Sequence, residues 1–106
     1  MTIRKIKSAA RKLGWSLSIS EDTYEFNKFS PAGQDFCVEA TGKNAEEIIN
    51  EIGERVNNFD VSYETYIWLD DSGHGAKGAP YDMRDLYDDM EACLEMLAEL
   101  YDEIRD

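Results

Sequence analysis

The stretch Thr23 to Ala40, TYEFNKFSPAGQDFCVEA, leaves few folds open to this chain. Ser30-Pro31-Ala32-Gly33 reads as a turn between two strands. Proline at the second turn position presets φ near −65°, and the glycine accepts the positive φ that the return strand needs. Apolar residues alternate on both sides: Tyr24 and Phe26 before the turn, then Phe36, Val38 and Ala40 after it. A period of two marks a half-buried antiparallel sheet. Trp15, Leu17 and Ile19 alternate with Ser16, Ser18 and Ser20, and Glu21-Asp22 turns that segment into Thr23. The three runs form a three-stranded antiparallel meander, with Trp15, Leu17, Ile19, Tyr24, Phe26, Phe36 and Val38 expected on its inner face. A lone three-stranded sheet must cover that face, and helices are the cover this chain has.

Thr2 to Leu13 reads as the first helix, with Ile3, Ile6, Ala10 and Leu13 on one face, Thr2 as N-cap and Gly14 as its stop. After the break at Thr41-Gly42-Lys43, Asn44 caps a second helix and Glu47 completes a capping box. Its apolar stripe is Ala45, Ile48, Ile49, Ile52, Val56 and Phe59, and Asn57-Asn58 ends it. Val61 to Leu69 carries strand-favouring residue types, yet Asp60 can cap a helix there with Val61, Thr65, Trp68 and Leu69 on one face. A helix is expected over Val61 to Leu69. Asp70 to Pro80 is a loop rich in glycine. Asp82 then caps a last helix from Met83 to about Ile104, and Tyr81 is expected to staple onto Leu86. The stripe of that helix is Leu86, Met90, Cys93, Leu94, Leu97, Leu100, Tyr101 and Ile104. Asp85, Asp88, Asp89, Glu91, Glu95, Glu99, Asp102 and Glu103 are expected to face water. The whole is a single α+β domain spanning residues 1–106, with helices on one face of the meander and element order αβββααα.

With 106 residues the chain can bury one modest core. No apolar run approaches the ~18 residues of a membrane span. No uninterrupted apolar segment follows the basic N-terminal residues, so no signal peptide is expected. Two cysteines far apart, Cys37 and Cys93, read as free thiols in a reducing cytoplasm, Cys37 on the outer strand face and Cys93 in the last stripe.

Charge is unevenly spread. Residues 1–20 hold five basic side chains and no acid, which leaves −17 for the rest of a chain whose total is −12. Such a surface repels free nucleic acid and attracts a basic protein. A basic amphipathic helix can lie on a membrane or bind nucleic acid, but this first helix has a small apolar stripe and is expected to pack on its own sheet with its lysines solvated.

Residues that imitate a catalytic or cofactor site fail on context. Gly73 to Gly78, GHGAKG, matches the dinucleotide fingerprint, but that motif needs a strand on one side and a helix N-terminus on the other within a βαβ unit. Pro80 and Asp82 delay the helix, so no cofactor is expected. His74 lies near Asp70, Asp71 and Asp82, without a metal-ligand spacing, and no metal is expected. Ser30, Ser62 and Ser72 lack a base at a recognisable spacing, and Cys37 lacks an orienting His–Asn pair. No enzyme is expected.

What remains is the last helix. From Tyr81 to Asp106 ten acids stand against Arg84 and Arg105, a net −8. Helical spacing lines up Asp88, Glu95, Glu99 and Asp102, the candidate partner-binding residues. A carboxylate row on a rigid helix can imitate phosphates to a basic groove, and it is also the solvated face of any amphipathic helix.

Phe29 to Phe36, FSPAGQDF, together with Phe59-Asp60, Trp68 and Gly78-Ala79-Pro80, resembles a group of small proteins of gut bacteria linked to phages and mobile elements. No activity is established for that group, so no site residue carries over. The resemblance implies a mobile-element setting, where small acidic inhibitors of host defence are common. In size and charge, though in no motif, the chain is also similar to antirestriction and anti-CRISPR proteins. The expected partner is a basic host protein such as a nucleic-acid enzyme. The other expectation is a structural or accessory protein acting through the hairpin turn and exposed aromatics.

Overall fold

A computed structural model describes residues 2–76 and 78–105. Lys77 of the glycine-rich string and Asp106 of the acid count lie outside the described residues. The elements run α1 (Ile3–Lys12), β1 (Ser16–Ser20), β2 (Thr23–Phe29), β3 (Asp35–Thr41), α2 (Ala45–Asn58), α3 (Val61–Ile67) and α4 (Met83–Arg105). The order is helix, three antiparallel strands, three helices: an α+β fold.

The meander forms as its alternation demands, in the order β1-β2-β3. Leu17 faces Phe26, Phe26 faces Val38 and Tyr24 faces Ala40, so apolar side chains meet across each pair. Trp15, Tyr24, Phe26, Val38 and Ala40 are buried. The ring of Trp15 meets Phe26 edge-on at 6.5 Å. Ile19 departs from expectation: it is 39% exposed. It sits near the end of an edge strand, one residue from the Glu21–Asp22 turn.

Each helix begins where a short polar side chain takes up a free first-turn N–H. Thr2 Oγ1 accepts from Lys5 N at 3.3 Å, Asn44 Oδ1 from Glu47 N at 2.9 Å and Asp60 Oδ1 from Tyr63 N at 3.1 Å. Asp82 Oδ1 accepts from Arg84 N at 2.8 Å and Asp85 N at 3.3 Å. The Glu47 carboxylate reaches one residue further back than a capping box requires and accepts from Lys43 N at 2.6 Å. In α1, Ile6 and Ala10 are buried as expected, Leu13 packs against the core and Ala9 joins the stripe, while Ile3 in the first turn is 41% exposed.

Helices α1 and α2 cover the sheet, and α4 packs on α1, α2 and α3. The core joins Ile6, Trp15, Phe26, Ile48 and Ile52 to Leu97, Leu100 and Ile104. Leu86, Met90 and Cys93 extend the buried stripe of α4 toward its N-terminus. Among the described residues no helix is long and apolar enough to cross a membrane.

Candidate functional site

The 23 residues of α4 make a rod of about 35 Å at 1.5 Å per residue. Its buried side is apolar, and its opposite side carries the expected row: Asp88, Glu95, Glu99 and Asp102 are all exposed. Glu91 is exposed as well and fills the gap between Asp88 and Glu95. With it the acids follow one another at three- and four-residue steps, about 5 Å each along the axis. Asp102 pairs with Arg105 at 3.0 Å. Among the described residues, Asp88, Glu91, Glu95 and Glu99 make no ion pair. Glu103 lies off the row and takes Lys12 of α1 at 2.6 Å, so this cation of the basic helix does not neutralise the row.

Asp89 does not join its neighbours. Expected to face water, it is 5% exposed, and its carboxylate holds the hairpin turn. Its Oδ2 accepts from Ser30 Oγ at 2.7 Å and from Gln34 Nε2 at 2.5 Å, and its Oδ1 accepts from Ala32 N at 3.0 Å. Ser30 Oγ in turn accepts from Gln34 N at 3.0 Å. The turn itself closes as expected, with Gly33 N donating to Ser30 O at 2.8 Å and Gly33 at φ +90°. A carboxylate removed from water is tolerable when several donors replace its hydration, and three do so here. The local pattern of α4 puts Asp89 at the margin of the apolar stripe, between Leu86 and Cys93, and does not decide whether it is buried. The signal lay 55 to 59 residues away, in the polar side chains that flank Pro31.

Beside this clamp, Gly33, Gln34, Phe36, Glu64, Trp68, Met90 and Cys93 line a cavity of about 360 Å³. Burial raises the Glu64 carboxyl above the usual range, and the nearby Asp60 charge adds to the shift. The Cys93 thiol is pushed up to about 12 by burial, with Asp89 and Glu64 adding. A thiol held that firmly protonated is no nucleophile near neutrality. Cys37, exposed on the outer sheet face, is raised by desolvation and then by Glu25, Glu39 and Asp35.

The Asp70–Pro80 loop folds back on itself. Asp70 Oδ1 accepts from Ser72 N at 2.8 Å, Ser72 Oγ at 2.6 Å and His74 N at 3.2 Å, which lowers the Asp70 carboxyl. Leu69 bridges Gly75, and Gly75 N donates to Tyr81 O at 2.9 Å. A Cβ on Gly75 would lie 1.7 Å from Pro80 O, so this glycine marks a close backbone crossing. The glycine string therefore closes a loop against residues 68–69 and 80–81, and α4 starts only at Met83. His74 stacks on Tyr81, ring centroids 4.3 Å apart and 8° from parallel. Tyr81 is 69% exposed and does not make the expected staple on Leu86; the imidazole has claimed its ring. Trp68 is 43% exposed, off the buried face, because α3 ends at Ile67 and leaves Trp68 as its C-cap.

The exposed hydrophobics are not scattered. Among the described residues, ten large ones are exposed, and seven fall within residues 63–87. Three of them, Tyr66, Met83 and Tyr87, line a groove of about 580 Å³ between α3 and the start of α4, together with Leu69, Ser62, Thr65, Arg84 and Asp88. No family model, curated protein or solved structure matches this chain.

Proposed function

We propose that this protein is a non-catalytic, acidic binding module whose α4 row imitates nucleic-acid phosphates and occupies the basic groove of a host nucleic-acid enzyme. One observation carries the reading. Asp88, Glu95, Glu99 and Asp102, joined by Glu91, stand exposed on one side of a long helix whose other side is locked into the core. Their steps of about 5 Å are on the scale of the ~3.4 Å rise per phosphate along a DNA strand. Carboxylates fixed on a packed helix lose little further entropy on binding, which favours them over a flexible acidic tail. The resemblance to phage-linked proteins makes a defence nuclease or restriction enzyme the first partner to test.

The test is capture from host lysate at low and high salt by the native protein and by the quadruple variant Asp88→Asn, Glu95→Gln, Glu99→Gln, Asp102→Asn. The native protein should retain a nucleic-acid enzyme at low salt and release it at high salt, because screening shortens the reach of surface charge. Added DNA should compete. The variant should capture nothing while staying folded, melting no lower than the native protein. Equal capture by the variant, or recovery of no nucleic-acid enzyme, would reject the proposal.

A further inference from the structure

The groove and the acid row adjoin on α4. At 100° per residue, Arg84, Asp88, Glu91, Glu95, Glu99 and Asp102 fall opposite Leu86, Met90, Cys93 and Leu97, and Met83 and Tyr87 border the buried stripe on the side where it meets that acidic face. The apolar groove thus opens at the N-terminal end of the carboxylate row, with Asp88 belonging to both. We propose that the groove between α3 and α4 is an anchor site for a basic amphipathic helix of the partner protein. Apolar side chains at one end of that helix enter between Tyr66, Leu69, Met83 and Tyr87, and its lysines and arginines lie along Asp88, Glu91, Glu95 and Glu99. This inference rests on the reading of α4 as a partner-binding face and names the partner's chemistry.

Three features support it. Tyr66 is 71%, Met83 54% and Tyr87 38% exposed, so large apolar and amphipathic surface lies open at one place. Gathered surface of that kind marks interaction sites, whereas singly scattered apolar residues need no explanation. Tyrosine and methionine are the types enriched at interface centres and in grooves that accept amphipathic helices. Charge selects the sign of the occupant: beyond Arg84, the carboxylates that continue the groove along α4 carry no ion pair among the described residues until Asp102. An acidic or neutral helix would gain nothing there, and a second copy of this strongly acidic chain would bring like charge to the row.

The probe is a synthetic helical peptide of about 18 leucines and lysines, with leucines at i, i+3, i+4 and i+7. A shuffled peptide of the same composition, without the stripe, is the control. Binding is measured by titration calorimetry at 150 mM salt, and its location by the methyl resonances of Leu69 and Met83. The striped peptide should shift both methyls and bind at least about tenfold tighter than the shuffled one. The double variant Tyr66→Ser, Met83→Ser removes only exposed, uncharged side chains, so it should melt like the native protein and lose about tenfold in affinity. Equal binding of the two peptides, undiminished binding by the double variant, or self-association of the free protein through these residues would each overturn the proposal. The quadruple acid variant separates this failure from that of the phosphate-mimic reading. It should weaken both peptides together and leave the preference for the striped one, whereas loss of enzyme capture by the acid variant alone, with the double variant still capturing, would leave the mimic standing and the groove empty.

Discussion

Asp88 and Asp89 are adjacent, identical in chemistry, and opposite in role. Asp88 is exposed and makes no ion pair among the described residues; Asp89 is buried and holds Ser30, Ala32 and Gln34. Replacing Asp89 with alanine leaves the buried Ser30 hydroxyl and the Ala32 N–H without their acceptor and opens a polar hole beneath the turn. The expected loss is about 2–4 kcal/mol, the range for breaking a buried network with a charged acceptor. Asparagine keeps one acceptor oxygen and should lose less. Asp88→Asn should stay within about 0.5 kcal/mol of the native protein, as surface substitutions do. Chemical denaturation of the three variants checks this, and equal stability of Asp88→Asn and Asp89→Ala would refute the clamp. This pair also marks the limit of sequence reading. Periodicity places a residue relative to its own helix, and Asp89 lies at the margin of the apolar stripe, where either environment is possible. Only the turn that docks on it decides, and no local pattern encodes that docking.

Element boundaries were legible for the opposite reason, since their causes are local. Thr2, Asn44, Asp60 and Asp82 each satisfy N–H groups two or three residues onward, which the sequence displays directly. The cap on Asp60 also resolves the ambiguous segment as helix despite its strand-favouring residues. The Thr65 hydroxyl donates to Val61 O at 2.8 Å and so hides its polarity within α3. What the cap cannot reveal is how far α3 sinks against α4. Glu64 records that depth: burial, then the Asp60 charge, raises its carboxyl. A group whose folded pKa is raised stabilises the fold fully below its unfolded value, about 4.3, and that contribution is lost as pH rises through the folded value. Glu64→Gln removes the charge that the fold disfavours. The variant should therefore melt above the native protein at pH 7, and the difference should close as pH falls below about 4. A melting series from pH 3.5 to 7.5 measures it. A variant less stable at pH 7 would mean that the ionised Glu64 is favoured by contacts that outweigh its desolvation.

The whole molecule is elongated, with principal extents of 45 × 24 × 22 Å, and its charge is divided. Positive side chains cluster on α1, while residues 21–106 carry −17 of a total of −12. Two opposing effects act on the folded state. Attraction is confined to a few contacts: the ion pairs among the described residues are Lys12–Glu103, Arg55–Glu51 and Arg105–Asp102, all on partly or largely exposed side chains. Exposed pairs of this kind contribute about 0–1 kcal/mol each. Repulsion is spread over the surface, and the exposed acids of α4 concentrate it, each lying within one Debye length of the next at 0.1 M salt, roughly 10 Å. Folding brings those charges together and the unfolded chain separates them, so self-repulsion lowers stability. Repulsion should win, and screening it should stabilise the protein. Raising sodium chloride from 20 to 500 mM is expected to raise the melting temperature by about 2–5 °C. The quadruple acid variant supplies the internal check. With four fewer negative charges it should start higher at low salt and gain less on addition of salt, whereas a general salting-out effect would raise both proteins equally. A melting temperature that falls with salt would mean that the contacts of the basic helix with the acidic one outweigh the repulsion. The α4 row would then be neutralised within the fold rather than held open for a basic partner.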